Sequence, residues 1–400
     1  MMDLAIRDIK QHLGRFLATV VGIGMLFAIV LSMNGIYRGF VFEGLSLIQT
    51  ANPDLWVVER YRGGPINEQS LLPEFFHYSV AAITGVEKAS PFIVYPVERD
   101  IVGESKRFTI IGYDVFTGLG GPKKLIAGRP ITQAHYEAVA HQKLGLRLGQ
   151  NFRLGLHTYT VVGLTREGTS PDGEPLLYLS LPDAQEVIWL PDNEEVRNQR
   201  LRVYQSLVRP GFFTPQEAEK YLSRYAIDTH KINAVLVRLA PGAQAKEVAR
   251  QIKDYLYLSI FTTPEQIEIM MKGRLNKPSR QLWLFRVLLL IVSVVIIAMV
   301  VFTLTMEKIR SIAVMKLIGA PNRVIVRLIM EQSILLTACS YFIGWIIIHN
   351  TYQLWPRLVL LTPGDDLTTL GLALAGGVIA SLLGIWKALK TPPALALGEQ

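Results

Sequence analysis

The side chains best equipped for chemistry in this sequence are scattered. Glycines and lysines meet in GLGGPKK (118–124), but the phosphate-cradling spacing G-x-x-x-x-G-K-[ST] does not occur, so the chain is not expected to hydrolyse nucleotide itself. His135 and His141 lie six apart with His157 nearby, a spacing that does not place two ligands on one helix face. With no H-E-x-x-H, histidines in surface loops are expected, not a metal site. No G-x-S-x-G elbow signals a serine hydrolase. The single cysteine, Cys339, sits in an apolar run, which excludes an internal disulfide and a cysteine-based metal centre. No catalytic residue, bound cofactor or metal is expected.

The stretch that stands out is MEKIRSIAVMKLIGAPNRVIVRLIMEQ (306–332), with seven charged residues wedged between two apolar runs. From Glu307 to Ile318, apolar positions recur at Ile309, Ile312, Ala313 and Leu317, joined by the aliphatic stem of Lys316. The other positions are taken by Glu307, Lys308, Arg310 and Ser311. This spacing predicts a short amphipathic helix, stopped by Gly319 and blocked from continuing by Pro321. Such an element presents a face to a partner and is tied mechanically to its flanking segments; an ordinary solvated loop is the alternative.

Elements of two kinds must position it. Half of the 400 residues are hydrophobic and only 18% are charged, a mixture that suggests membrane spans plus a water-soluble domain. Four runs meet the roughly 20 apolar residues that cross a bilayer core: about 16–34, 287–306, 324–349 and 367–386. The second run carries no charge, and its length decides for a helix although its valines and isoleucines favour strands in water. The first lacks the cleavage site of a removable signal and reads as a retained span. Small residues recur four apart at Ser340 and Gly344, at Gly377 and Ser381, and at Ala380 and Gly384. This spacing permits close helix approach, or reflects the general abundance of small residues in membrane helices.

Arg7, Lys10 and Arg15, then Lys308, Arg310, Lys316 and Arg323, then Lys387 and Lys390 place both termini and the charged elbow in the cytoplasm. Lys272, Arg274, Lys277, Arg280 and Arg286 fall on the opposite side, where they meet anionic headgroups or an anionic substrate. The net charge of +8 comes without a basic stripe interleaved with aromatics, so lipid, not nucleic acid, is the expected anionic partner. Residues 1–15 read as an amphipathic interfacial helix. Residues 45–280 read as a mixed α/β extracytoplasmic domain, with strands at 54–59, 108–113, 158–164 and 232–239 and helices at 71–83 and 245–256. A glycine-rich piece with short strands, 125–210, is inserted in it.

The motif M-E-K-x-R-S-I-A-V-M-K-L-I-G-A-P, followed by Arg323 and then Glu331, resembles the FtsX-like permease domain of ABC transporters of the MacB, LolCDE and DevC type. The tail WKALKTPPALAL (386–397) is similar to that family's ending. AVAHQKLGLRLGQNFRLGLHTYTVVGL (138–164) is similar to its periplasmic domain, and the order of one span, a large domain and three spans also fits. The resemblance implies four transmembrane helices plus an extracytoplasmic domain of porter (about 50–120 and 212–275) and sabre (about 125–210) type. The chain would be a multi-pass permease subunit of the bacterial cytoplasmic (inner) membrane. A separate ABC ATPase dimer would hold ATP and Mg and hydrolyse the nucleotide. A second permease copy or a homologue would complete the unit, with a periplasmic adaptor and outer-membrane channel as further partners. Closing of the spans would be relayed through extensions of the first two spans to the outer domain. Export is the favoured reading; lipoprotein release and an FtsX-type signal relay are alternatives.

The resemblance makes residues 307–321 the ATPase-coupling helix. Arg310, Lys316 and Arg323 would then meet acidic patches on the ATPase, Glu307 a basic one, and Ile312 and Leu317 would supply the buried contact, with Gly319, Ala320 and Pro321 at the bend. Glu331 is either an intramembrane functional acid or an interfacial partner of Arg327 at i,i+4. Gly35 and Gly39 form a G-x-x-x-G that either lets paired first spans touch across a dimer axis or frees the chain as it leaves the membrane.

Overall fold

The computed structural model describes residues 13–101, 103–189, 194–209, 213–224, 230–355 and 357–390. The chain divides into two compact units, Phe42–Asn276 and the pair of segments Met1–Val41 and Lys277–Gln400. The amphipathic leader expected over 1–15 lies outside the described residues up to residue 12, and the tail after Lys390 likewise.

The first helix, α1 (Leu13–Ala51), runs without a break well past the apolar run that ends near Asn34. The added residues amount to about 25 Å of helix at 1.5 Å per residue. Its last turns belong to the unit Phe42–Asn276, where Leu47 and Ile48 are buried, Thr169 N donates to Ser46 Oγ at 3.3 Å, and Gly44 leaves room for Leu275.

That unit is built on one sheet. Its strands are β1 (Leu55–Val58), β3 (Val86–Ile101), β4 (Glu104–Tyr113), β5 (Ala127–Gly128), β6 (Glu137–His141), β7 (Asn151–Leu154), β8 (His157–Thr165), β9 (Leu176–Ser180), β11 (Ala234–Leu239) and β12 (Ser259–Thr262). The order is β12-β1-β11-β3-β4-β9-β6-β8-β5, with β7 paired to β8. Two pairings are parallel, β4 with β9 and β6 with β8. The strands of the glycine-rich piece 125–210 therefore extend the same sheet through β9. That piece also carries α3 (Leu181–Ile188), whose Ser180 Oγ caps the N–H of Asp183 at 3.3 Å, and α4 (Glu194–Val208), neither of which the sequence pattern singles out.

Two local expectations change. The helix read over 71–83 shrinks to α2 (Phe76–Ala81), because Leu72 and Pro73 form the short strand β2 against β10 (Lys231–Ile232). Proline cannot donate in a helix interior, and the residue before it prefers extended backbone, so strand pairing wins. Conversely, β3 is a long central strand although Pro91 and Pro96 interrupt it. Prolines argue against a strand in sequence; here they pair opposite Val235 and Thr109 within ladders that hold on both sides. The segment 245–256 is helical as read, forming α6 (Ala245–Leu256), preceded by α5 (Pro215–Arg224) and followed by α7 (Thr263–Lys272), which starts with a Thr262–Glu265 capping box.

The other unit is helical. Besides α1 it contains α8 (Asn276–Glu307), α9 (Ile309–Leu317), α10 (Asn322–Thr351) and α11 (Pro363–Lys390). Four helices, α1, α8, α10 and α11, are long and apolar enough to cross a bilayer. Small residues set their packing. A Cβ at Gly344 would meet Gly24 O at 2.5 Å and Ala28 N at 2.9 Å, and one at Gly377 would meet Thr337 Oγ1 at 2.5 Å. Ser333 Oγ donates to Gly377 O at 2.7 Å. The four-residue spacing thus serves close approach of backbones. Polar ties join α1 to the start of α11: Asn34 Nδ2 donates to Thr369 Oγ1 at 3.0 Å, and the Arg38 guanidinium donates to both carboxylate oxygens of Asp365.

Candidate functional site: the elbow between two spans

The charged stretch folds as a helical elbow. α8 ends at Glu307, Lys308 leaves helical geometry, and the nine-residue α9 follows. It terminates at Ile318 and Gly319, where Gly319 takes φ +90°, Gly319 N donates to Lys316 O at 3.1 Å and Ala320 N donates to Met315 O at 2.9 Å. This pair of bonds is the Schellman motif, and the left-handed residue it demands is why glycine stands there. Pro321 is extended and α10 begins at Asn322, so the chain turns within three residues.

One face of α9 packs on its own bundle. Ile312 and Ala313 are 2% and 4% exposed, and Ile312 lies within the core cluster that includes Ile325, Ile329, Ile385 and Ala388. Burying an isoleucine contributes about 1.5–3 kcal/mol. Lys316 Nζ donates to Ala388 O at 2.8 Å and Leu389 O at 3.1 Å, placing a cation on the unsatisfied carbonyls and negative dipole end of α11. Lys308 Nζ donates to Gln332 Oε1 at 3.3 Å across the bend. The elbow is thus latched to the last span.

These contacts redistribute the roles expected from sequence. Ile312 is not available to a partner, because its own core already holds it, and Lys316 caps a helix of the same chain. The outward apolar surface consists of Val314, Leu317 and Ile318, which are 42%, 62% and 82% exposed. Arg310, Arg323 and Arg327 are exposed, and so is Glu307. Leu317 was named from sequence; Val314 and Ile318 were missed. Their signal is the i, i+3, i+4 spacing of Val314, Leu317 and Ile318.

Arg327 Nε donates to Glu331 Oε1 at 2.7 Å, so Glu331 has an i,i+4 partner on the surface of α10. Gly35 and Gly39 do not present an open face. A Cβ at Gly35 would strike Val359 and one at Gly39 the carbonyl of Leu358, and Leu360 N donates to Gly35 O at 3.0 Å. Their own chain fills the notch expected at a dimer axis.

The histidines have separate partners. His135 Nδ1 lies 2.9 Å from Asp183 Oδ1, and His157 Nε2 lies 2.7 Å from Glu186 Oε1. His141 Nδ1 accepts from Lys143 N at 3.1 Å while Nε2 faces Arg166 O at 3.0 Å, an arrangement for the neutral ring; burial pushes its pKa below the usual range. Among the described residues no three of His, Cys, Asp and Glu gather into a metal-binding group. Lys272 and Arg274 of the basic cluster are paired with Glu268 and Asp172.

Comparison with known proteins locates this architecture. Residues 16–255 match the family described as MacB-like periplasmic core domain, and residues 283–393, which contain the elbow, match the FtsX-like permease C-terminal family. Two uncharacterized ABC transporter permeases of Mycobacterium tuberculosis strain H37Rv are 23% and 22% identical over 398 residues, covering 100% of this chain and 99% of each relative. The periplasmic region of MacB from Actinobacillus actinomycetemcomitans aligns with a TM-score of 0.34 at 10% identity, covering 54% of this chain and 92% of that one. With its outer-domain match spanning more than half the sequence and the permease match taking most of the rest, the chain belongs to the MacB/FtsX family of ABC transporter permeases, as a membrane-spanning subunit with an extracytoplasmic domain.

Proposed function

We propose that this permease couples ATP hydrolysis on a separate ATPase dimer to export of substrate on the extracytoplasmic side, by mechanotransmission. The observation that carries this is the division of α9 into a latched face and a bare one. Ile312 and Lys316 fix the helix to the bundle, so force applied to Val314, Leu317 and Ile318 reaches α8, α10 and α11 together. A solvated loop would need neither a buried face nor a helix-capping lysine. With the sheet domain outside, the elbow and both termini lie in the cytoplasm, where nucleotide is available. The chain is a non-catalytic subunit, and ATP and Mg bind the partner.

That α1 and α8 are each unbroken supports reading their extensions beyond the apolar runs as the stalks of a relay to porter (about 50–120 and 212–275) and sabre (about 125–210) regions. A second copy of the permease is supported by α8, whose exposed Leu288, Ile291, Val295, Met299 and Phe302 recur at spacings of three and four. That period is the seam of a helix pair. An adaptor and an outer-membrane channel would extend the path beyond the outer domain.

The test is co-expression with the cognate ATPase, purification in nanodiscs and measurement of ATPase stimulation. Spin labels in the outer domain should shift on nucleotide binding. A chain that never retains the ATPase, or labels at 310 and 317 that react only from the extracytoplasmic side, would sink the reading.

A further inference from the structure

A groove lies in the sheet domain, far in sequence from the elbow. It holds about 860 Å³ between α6 and the strand β12. β12 ends the sheet: it pairs with β1 through Leu55↔Thr262 to Val58↔Ser259, and no described strand covers its second edge. An uncovered edge offers main-chain donors and acceptors to any extended chain that approaches.

The groove walls select what approaches. Lys246, Arg250 and Lys253 recur at four and three residues along α6 and line it, opposite Arg60. Asp254 is the single acid in the lining. Arg250 shares Glu247 at 2.9 Å in an exposed pair, whereas Arg60, Lys246 and Lys253 have no carboxylate partner among the described residues. The Arg60 guanidinium is held over Tyr61 at 4.7 Å and near Tyr257 at 5.8 Å. Both tyrosines occupy left-handed backbone, φ +64° and +56°, which side chains of this size rarely adopt, and both stay 82% and 66% exposed. Leu258, Ile260 and Phe261 give the groove an apolar floor.

We propose that this groove takes an extended acidic segment of a partner protein, added to the free edge of β12 with its carboxylates against Lys246, Arg250 and Lys253. The open edge supplies the hydrogen-bonding register, alternate apolar side chains reach the floor, and the cationic stripe sets the sign of the partner. The same lysines repel a second copy of this edge, so the strand is protected against self-pairing yet open to an acid-bearing chain. A free anion or an anionic lipid would use the charges but not the main-chain edge. Binding here is independent of whether the chain works as an exporter.

The test uses the full chain in nanodiscs and a fluorescein-labelled octapeptide of alternating glutamate and valine, followed by anisotropy at low salt. Saturable binding is expected, weakened roughly tenfold or more by Lys246→Glu with Lys253→Glu. It should also be lost when alternate peptide amides are N-methylated in the register that faces β12. A lysine–valine peptide should bind the charge-reversed variant, which shows that variant to be folded. Equal affinity of the wild-type and reversed proteins for the acidic peptide overturns the proposal. So does indifference to N-methylation in both registers. Binding of oleate or inorganic phosphate with none of the peptide overturns it in favour of an anionic small molecule.

Discussion

Replacing Leu317 with aspartate is the sharpest probe of the elbow. Leu317 is 62% exposed between Val314 and Ile318, so a partner that covers it removes most of a leucine from water. Full burial of a leucine contributes about 1.5–3 kcal/mol, and the fraction still open here leaves about 1–2 kcal/mol for the partner to gain. Aspartate forfeits that and brings an ionised carboxylate into an apolar contact, a further cost of about 2 kcal/mol or more without a compensating bond. The sum, about 3–4 kcal/mol, weakens ATPase binding by roughly two to three orders of magnitude. Leu317→Ala loses at most the first contribution, roughly five- to thirtyfold. The assay is titration of labelled ATPase onto the permease in nanodiscs, with thermal unfolding of the permease alone as control. Because the side chain points away from the core, Leu317→Asp leaves that unfolding unchanged. Ile312→Asp differs, since Ile312 is 2% exposed and its loss destabilises the permease itself. A Leu317→Asp protein that binds the ATPase as tightly as wild type would refute the assignment of this face.

Gly319→Pro cannot adopt φ +90° and loses the bond from Gly319 N to Lys316 O, so it should abolish ATP-driven movement of outer-domain labels while the protein still inserts. Gly319→Ala meets no atom within 4 Å and costs only the left-handed penalty, about 1–2 kcal/mol, visible as a modest loss of the same signal. Gly344→Val drives a Cβ against the backbone of α1 and should lower thermal stability in detergent by about 1–3 kcal/mol. In the sheet domain, the Arg129 guanidinium, with the N–H groups of Thr132 and Gln133, pulls the Glu137 carboxyl down to about 2. A depressed carboxylate stabilises the fold above its unfolded pKa, about 4.3, and that contribution disappears as pH falls toward about 2. Glu137→Gln should therefore speed hydrogen exchange of β6 and β8 at neutral pH, by about 1–2 kcal/mol once solvent screening at the exposed Arg129 side is allowed for, and should remove this step from the acid profile. Removing the surface pair Arg327–Glu331 should change stability by no more than about 0.5 kcal/mol, read by thermal unfolding.

Much of this protein is determined by local sequence. Run length and scarcity of charge decide the four apolar helices, because a bilayer core leaves no other solution for the backbone. The elbow's end is equally local: a Schellman motif needs a glycine in left-handed geometry, and Gly319 before Pro321 announces it. α6 follows its own periodicity from Ala245 to Leu256. Tertiary structure decided everything that depended on a distant partner. Pro91 and Pro96 lie in a central strand only because β4 and β11 flank it, and Leu72 leaves the helix pattern only because Ile232 meets it. Gly35 and Gly39 look like a helix-pairing motif until residues 358–361 fill the notch. The division of labour on α9 is of the same kind. The spacing marks two faces, but which face is spent on the molecule's own core depends on Ala388 and Leu389, some seventy residues away, whose carbonyls take the ammonium of Lys316.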